Sequence, residues 1–189
     1  MFVIFLGLVA FALWELHYVN RAFIYPFRLP SSANMSPLVV LSAVFFNLIN
    51  PYLNARCIFT LCEPTPLYLP RFLLGLGLFF TGMNINQNSD NILLQLRKRA
   101  EQEKSKNDGK TKYKIPTGGL YDYISSANYF GEMVEWFGFY LITWNIGSAS
   151  FLLWTICNLF PRAYANHLWY LKTFPNYPKE RKAVIPFVF

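Results

Sequence analysis

At 189 residues, with 54% hydrophobic and 19% aromatic content against 14% charged, the chain is too apolar for an ordinary soluble domain of its length. Its net charge of +7 comes from Lys and Arg placed between apolar segments, with no nucleic-acid motif beside them, so composition excludes a nucleic-acid binder and favours a helical membrane protein. Cys57, Cys62 and Cys157 make neither a metal-ligand pattern nor an even disulfide framework; they read as structural, and no metal is expected.

Met1 to Trp14 is apolar from its first residue but has no basic leader and no small-residue cleavage site before Glu15 and His17. It therefore reads as a membrane helix rather than a secretory signal. To approach the roughly 20 residues of a full span it must continue through Tyr18, and its shortness points to further sequence upstream. A connector follows, from His17 through Arg21 and Phe23 to Pro30 and Ser31-Ser32. Leu38 to Leu53 is the second apolar segment, expected to break near Pro51, and a polar hairpin from Asn54 to Pro66 leads to the third, about Tyr68 to Met83.

Helix is predicted to persist over Asn88 to Leu96, which puts Asn86, Asp90 and Arg97 on one helical face at spacings of four and seven. From Arg97 to Lys112 the composition turns to Lys, Glu, Gln, Asn, Ser and Gly, which buries little; residues 98–112 read as a mobile solvent loop, the clearest linker in a single membrane domain covering 1–189. Ile115-Pro116 ends any helical run and Gly118-Gly119 permits a tight bend. Gly131 to Trp144 and Ser148 to Phe160 are two more apolar segments, joined at Asn145-Ile146-Gly147 as a helical hairpin, and the tail from Arg162 to Phe189 is too polar to span.

Five spans alternating in direction put 17–36, 87–120 and 162–189 on one side of the membrane. That side holds all of the seventeen Lys and Arg except Arg56 and Arg71. The excess of positive charge makes it cytosolic. The polar groups around Tyr18 and Arg21, Asn86 to Arg97, Tyr113 to Glu135 and Arg162 to Tyr170 are then expected at one membrane face, suited to a phosphorylated cofactor. Glu132 and Glu135 are carboxylates in apolar sequence, where acids are costly; one reading is an internal pair satisfied by a neighbour, the other a functional site. From the residues alone Tyr18 reads first as an interfacial anchor, Arg97 also as part of a topogenic cluster with Lys98 and Arg99, and Lys179 to Lys182 as a headgroup-facing tail.

Asn86-Gln87-Asn88-Ser89-Asp90, Tyr113-Lys-Ile-Pro-Thr-Gly-Gly-Leu-Tyr, Asn128-Tyr-Phe-Gly-Glu132 with Glu135-Trp136, and Tyr177-Pro-Lys-Glu-Arg-Lys-Ala-Val-Ile-Pro-Phe occur in that order along the chain. Together they resemble the steroid 5α-reductases, the 3-oxo-5α-steroid 4-dehydrogenases. The resemblance implies an all-α integral membrane enzyme in which the five spans here correspond to the last five of seven helices. Two further helices at the start of family members carry a glutamate that assists the substrate-carbonyl tyrosine. The implied reaction is NADPH-dependent reduction of the Δ4 double bond of a 3-oxo-steroid, in the endoplasmic reticulum membrane, with cofactor loops and C-terminus cytosolic.

By position, the resemblance assigns Asn86, Asp90, Arg97, Tyr113, Lys114, Asn128, Glu132, Arg162, Asn166 and Tyr170 to the cofactor and Tyr18 to the substrate carbonyl. Relatives often carry histidine where Asn166 stands, with His167 adjacent here. The expected partners are a steroid or other lipid enone and membrane lipids, with no nucleic acid. Competing readings are a reductase of another lipid enone or enoyl thioester, a membrane methyltransferase using S-adenosylmethionine, and an inactive truncated membrane fragment. The several cations favour the phosphate-rich dinucleotide over S-adenosylmethionine.

Overall fold

The computed structural model describes residues 2–30, 36–61, 68–106 and 113–189. Ser31, Ser32, Cys62, the 62–66 part of the expected hairpin and the 107–112 part of the expected linker lie outside the described residues. Helices α1 (Phe2–Tyr18), α2 (Tyr25–Arg28), α3 (Pro37–Arg56), α4 (Leu69–Lys106), α5 (Ala127–Thr143) and α6 (Ile146–Thr173) account for most of them. Single π-helical segments, Val19–Ile24 and Cys57–Leu61, extend α1 and α3, and a 3-10 turn covers Gly119–Asp122. No strand occurs among the described residues, in keeping with the all-α expectation. One helical run among them, Pro37–Leu61, is by itself long and apolar enough to cross a membrane, at 25 residues and a mean hydropathy of 1.5.

Helix extends further than the sequence reading allows in four places. Pro51 does not break α3, which runs on to Arg56. Proline removes one backbone donor, but opening the helix there would expose many more backbone groups beside apolar side chains. The connector after Tyr18 stays helical to Arg28, and α4 continues to Lys106 into the expected linker. Ala100, Glu101, Gln102 and Glu103 are strong helix formers, so a segment that buries little still propagates a turn already nucleated. Finally α6 passes Pro161 and ends at Thr173, taking in the first part of the polar tail.

The chain divides into two compact units, each with its own packing. Unit 1 comprises Met1–Phe79 and Trp136–Trp154. Its centre is aromatic: the Trp14 ring lies 5.2 Å from Trp136, 5.6 Å from Phe139 and 5.0 Å from Phe151, centroid to centroid. Tilted and edge-on pairs of this kind each add about 0.5–1.5 kcal/mol beyond area burial. A Cβ on Gly138 would come within 2.4 Å of the Phe79 backbone nitrogen, so α4 and α5 touch there backbone to backbone. Trp144, just past the end of α5, has φ +46 in the left-handed region usually left to glycine. Its N–H donates to the Tyr140 carbonyl at 2.7 Å, its ring stacks on Tyr140 at 5.0 Å, and the Arg71 guanidinium sits 4.6 Å from the ring centroid.

Unit 2 comprises Phe80–Glu135 and Thr155–Phe189. Here α4 and α5 meet at Gly82 and Gly131, where added Cβ atoms would lie 2.3 Å from the Glu135 nitrogen and 2.5 Å from the Asn86 nitrogen. Tyr121, Ile124 and Ala127 form a buried cluster under Ile92, Leu93, Leu120 and Phe130. The C-terminal tail is tied to this cluster by main-chain bonds: Ser125 N–H to Lys182 O at 2.8 Å, Lys182 N–H to Tyr123 O at 2.9 Å, and Ser126 N–H to Ala183 O at 3.1 Å. The bend before it uses Gly118 at φ +94 and Gly119 at φ +58, as the glycine pair suggests. Asp122 accepts the Gly118 N–H at 2.8 Å and closes the turn.

Candidate cofactor site

All ten residues assigned to the cofactor fall in unit 2, and Tyr18 falls in unit 1. The close approach of α4 to α5 at Gly131 sets the centre of the unit 2 group. Asn86 Nδ2 donates to the Asn128 carbonyl oxygen at 2.9 Å, and Asn128 Nδ2 donates to Asp90 Oδ1 at 3.2 Å. Asn86 and Asp90, one helical turn apart, are both buried, and Asn128 stands in the first turn of α5. A carboxyl oxygen held by an amide is fixed in direction, which suits the group to meet hydroxyl or amide donors. Glu132 is half-buried one turn beyond Asn128, on the same face of α5.

The remaining assigned residues are arranged more loosely. Arg97 is exposed, and its charge acts on Tyr170. Lys114 is exposed and pairs with Glu103 of α4, a surface bridge worth little by itself. The exposed Tyr113 ring meets Trp169 edge to face at 5.3 Å. Asn166 reaches Ser126 Oγ at a long 3.5 Å. Among the described residues no hydrogen bond or ion pair joins Arg162 or Glu132 to another assigned residue. In unit 1 the Tyr18 ring is half-buried, stacked on Trp14 at 5.2 Å with His17 against its edge. The buried Glu135, 0% exposed, lies on the side of α5 facing Gly82.

Sequence reasoning assigned no role to a second polar group. Ser125 Oγ lies 2.7 Å from His167 Nδ1 and 2.7 Å from Tyr177 Oη, joining the loop, α6 and the tail. Burial, reinforced by the Lys182 charge, holds His167 below its usual range, so its ring is neutral and Nδ1 accepts from a hydroxyl. Tyr170 stacks on Tyr177 at 5.1 Å. Burial first, and Tyr177 second, push its phenol up to about 12 against the opposing Arg181 and Arg97 charges, so it remains a proton donor. Arg181 is 5% exposed; Nη1 donates to Pro116 O at 2.8 Å and the guanidinium sits 5.3 Å from the Tyr177 ring centroid. It has no carboxylate partner among the described residues, and its Nε–H makes no hydrogen bond. The signal available in sequence was Ser125-Ser126 immediately before a helix start, where such residues tie the chain.

A family model for 3-oxo-5-alpha-steroid 4-dehydrogenase matches residues 33–189. The chain belongs to this family. It is 42% identical over 183 residues to "3-oxo-5-alpha-steroid 4-dehydrogenase 1" of Homo sapiens, covering 96% of this chain and 67% of that protein. It is 44% identical over 179 residues to "Steroid 5-alpha-reductase DET2" of Solanum lycopersicum, covering 92% of this chain and 66% of that protein. With the Arabidopsis thaliana protein of the same name it shares 40% identity over 193 residues, 97% of this chain and 70% of that protein. The chain thus spans about two thirds of the length of these curated relatives, and the family is one of oxidoreductases.

A dinucleotide cofactor fits the unit 2 residues of this family member on chemical grounds. A buried guanidinium without a carboxylate is costly unless an anion answers it, and Arg181 is such a group. Arg97, Lys114 and Arg162 add exposed positive charge in the same unit, while Asn86, Asp90 and Asn128 offer amide and carboxyl groups for amide and ribose. No group of three or more His, Cys, Asp or Glu able to hold a metal occurs among the described residues.

Proposed function

We propose that the chain carries out NADPH-dependent reduction of the Δ4 carbon–carbon double bond of a 3-oxo-steroid, giving the 5α-3-oxo-steroid. The observation that supports this reading most is the joining of Asn86, Asp90 and Asn128 in one buried hydrogen-bonded group inside a unit that also contains the buried Arg181. When bound, NADPH supplies a hydride to the enone carbon β to the ketone. The chain's own residues position and polarise. Arg97, Lys114 and Arg162 neutralise phosphate charge, helped by Arg181; Asn86, Asp90, Asn128, Glu132 and Asn166 hold amide and ribose groups; Tyr113 and Tyr170 add aromatic walls and phenol donors. Tyr18 donates its hydroxyl proton toward the ketone oxygen as enolate charge develops.

In this reading the protein is a single integral membrane domain of five spans in the endoplasmic reticulum, with residues 98–112, the cofactor groups and the C-terminus in the cytosol. The distribution of Lys and Arg supports the orientation and the apolar run Pro37–Leu61 a membrane location, while the endoplasmic reticulum rests on the family resemblance. The test is NADPH oxidation by the chain in lipid nanodiscs on addition of a Δ4-3-ketosteroid, read together with loss of the enone absorbance. Reduction of that steroid supports the reading; NADPH binding with reduction of an enoyl thioester alone replaces it with the related lipid-reductase activity.

A further inference from the structure

On α3 the apolar side chains face outward, and the two buried residues of this twenty-residue helix are both polar, Asn50 and Asn54. They stand one turn apart and line a cavity of about 380 Å³ in unit 1 whose walls include Phe46, Leu53, Phe151 and Trp154. Phe46 and Trp154 stack at 5.3 Å, giving that wall a flat aromatic face. Asn54 Nδ2 donates to the Asn50 backbone oxygen at 3.1 Å and to Asn50 Oδ1 at 3.0 Å. Because a backbone oxygen only accepts, the nitrogen of Asn54 must be the atom that faces it, and this in turn fixes the oxygen of Asn50 toward Asn54. What remains is one donor, Asn50 Nδ2, and one acceptor, Asn54 Oδ1, both buried and both without a hydrogen-bond partner.

Asn50 and Asn54 line this apolar cavity, and the unanswered donor and acceptor that they carry lie just behind its surface, a pairing complementary to an uncharged molecule whose polar group does both. A ketone or ether accepts only, and a hydrocarbon does neither. We propose that this cavity binds a lipid whose polar group is a single hydroxyl, the hydroxyl accepting from Asn50 and donating to Asn54. The inference is independent of the cofactor reading, since every residue it uses belongs to unit 1 and none is assigned to NADPH.

The experiment labels the full chain in phosphatidylcholine nanodiscs with a photoreactive cholestanol analogue. Competition follows with cholestanol, cholestanone and cholestane, and with octadecanol against octadecane. The expected result is labelling of residues 46–61 or 146–154, displaced by an alcohol at a concentration about tenfold below that of its hydrocarbon, with the ketone between them. Whether the ring or the chain alcohol shows the larger preference identifies the kind of lipid. Asn50→Leu and Asn54→Leu are expected to bring alcohol and hydrocarbon level. The comparison within the unaltered protein stands even where a variant does not fold. Alcohols that compete no better than their hydrocarbons, or a label that falls elsewhere, overturn the proposal.

Discussion

Asn128→Ala separates the docking of α5 from the chemistry offered to the cofactor. The Asn86 amide bonds the backbone oxygen of Asn128, a contact that survives truncation of the side chain, whereas the bond from Asn128 Nδ2 to Asp90 is lost. A hydrogen bond to a charged group contributes roughly 1.5–3 kcal/mol, and a length of 3.2 Å puts this one near the lower end. The deleted amide also takes with it ~1 kcal/mol of direct hydrogen bonding to the cofactor, and with Asp90 no longer held in place for that cofactor the dissociation constant for NADPH should rise about 10- to 100-fold. The assay is titration of the full chain in nanodiscs, following nicotinamide fluorescence, with circular dichroism to confirm an unchanged helix content. Asp90→Asn, which keeps an acceptor but removes the charge, should fall between wild type and Asn128→Ala. An unchanged NADPH affinity in folded Asn128→Ala would refute the assignment of this cluster.

Three further outcomes follow from the same geometry. Gly131→Val should lower the melting temperature and weaken NADPH binding together, because its Cβ would meet the Asn86 backbone at 2.5 Å and overpacking of this kind costs about 1–3 kcal/mol; a variant as stable as wild type contradicts the close packing. Tyr18→Phe should lower the rate of steroid reduction well before it alters NADPH affinity, and the reverse split would remove its role as carbonyl donor. For His167 the folded-state value is lowered, so below pH about 6.5 the unfolded chain binds a proton that the folded chain resists. Stability should therefore be retained above that pH and fall as pH drops through 6.5 toward the folded value. Melting curves against pH should lose part of that slope in His167→Gln; an identical slope would show that another group titrates.

The helical class and the order of helices were legible because long apolar runs and the Gly118-Gly119 bend leave few alternatives. The helix ends were not. Pro51 reads as a stop, and the apolar segment from Ser148 ends at Phe160 just before Pro161, yet each proline removes only one donor from a helix that its neighbours sustain. Asn86 and Asp90 were legible as a pair from their four-residue spacing, and the structure turns that shared face toward Asn128. Arg97 shares the spacing but is exposed, since helical periodicity states a face without stating how far a neighbouring element extends along it. The polar group of Ser125, His167, Tyr177 and Arg181 was hidden because Ser125 lies 42 residues from His167 and 52 from Tyr177, and the loop is joined to the tail backbone to backbone, a contact with no side-chain pattern to betray it. The polar lining on α3 was hidden for a related reason: two asparagines in apolar sequence look like helix-end residues until the outward face is seen to be the apolar one.

Equilibrium binding to the full chain in nanodiscs at two salt concentrations tests the proposal that unit 2 grips a phosphorylated nicotinamide dinucleotide. The account predicts saturable NADPH binding that weakens with salt, is reduced further by Arg97→Ala, and is not displaced by S-adenosylmethionine. Saturable binding of S-adenosylmethionine with none of NADPH would contradict it.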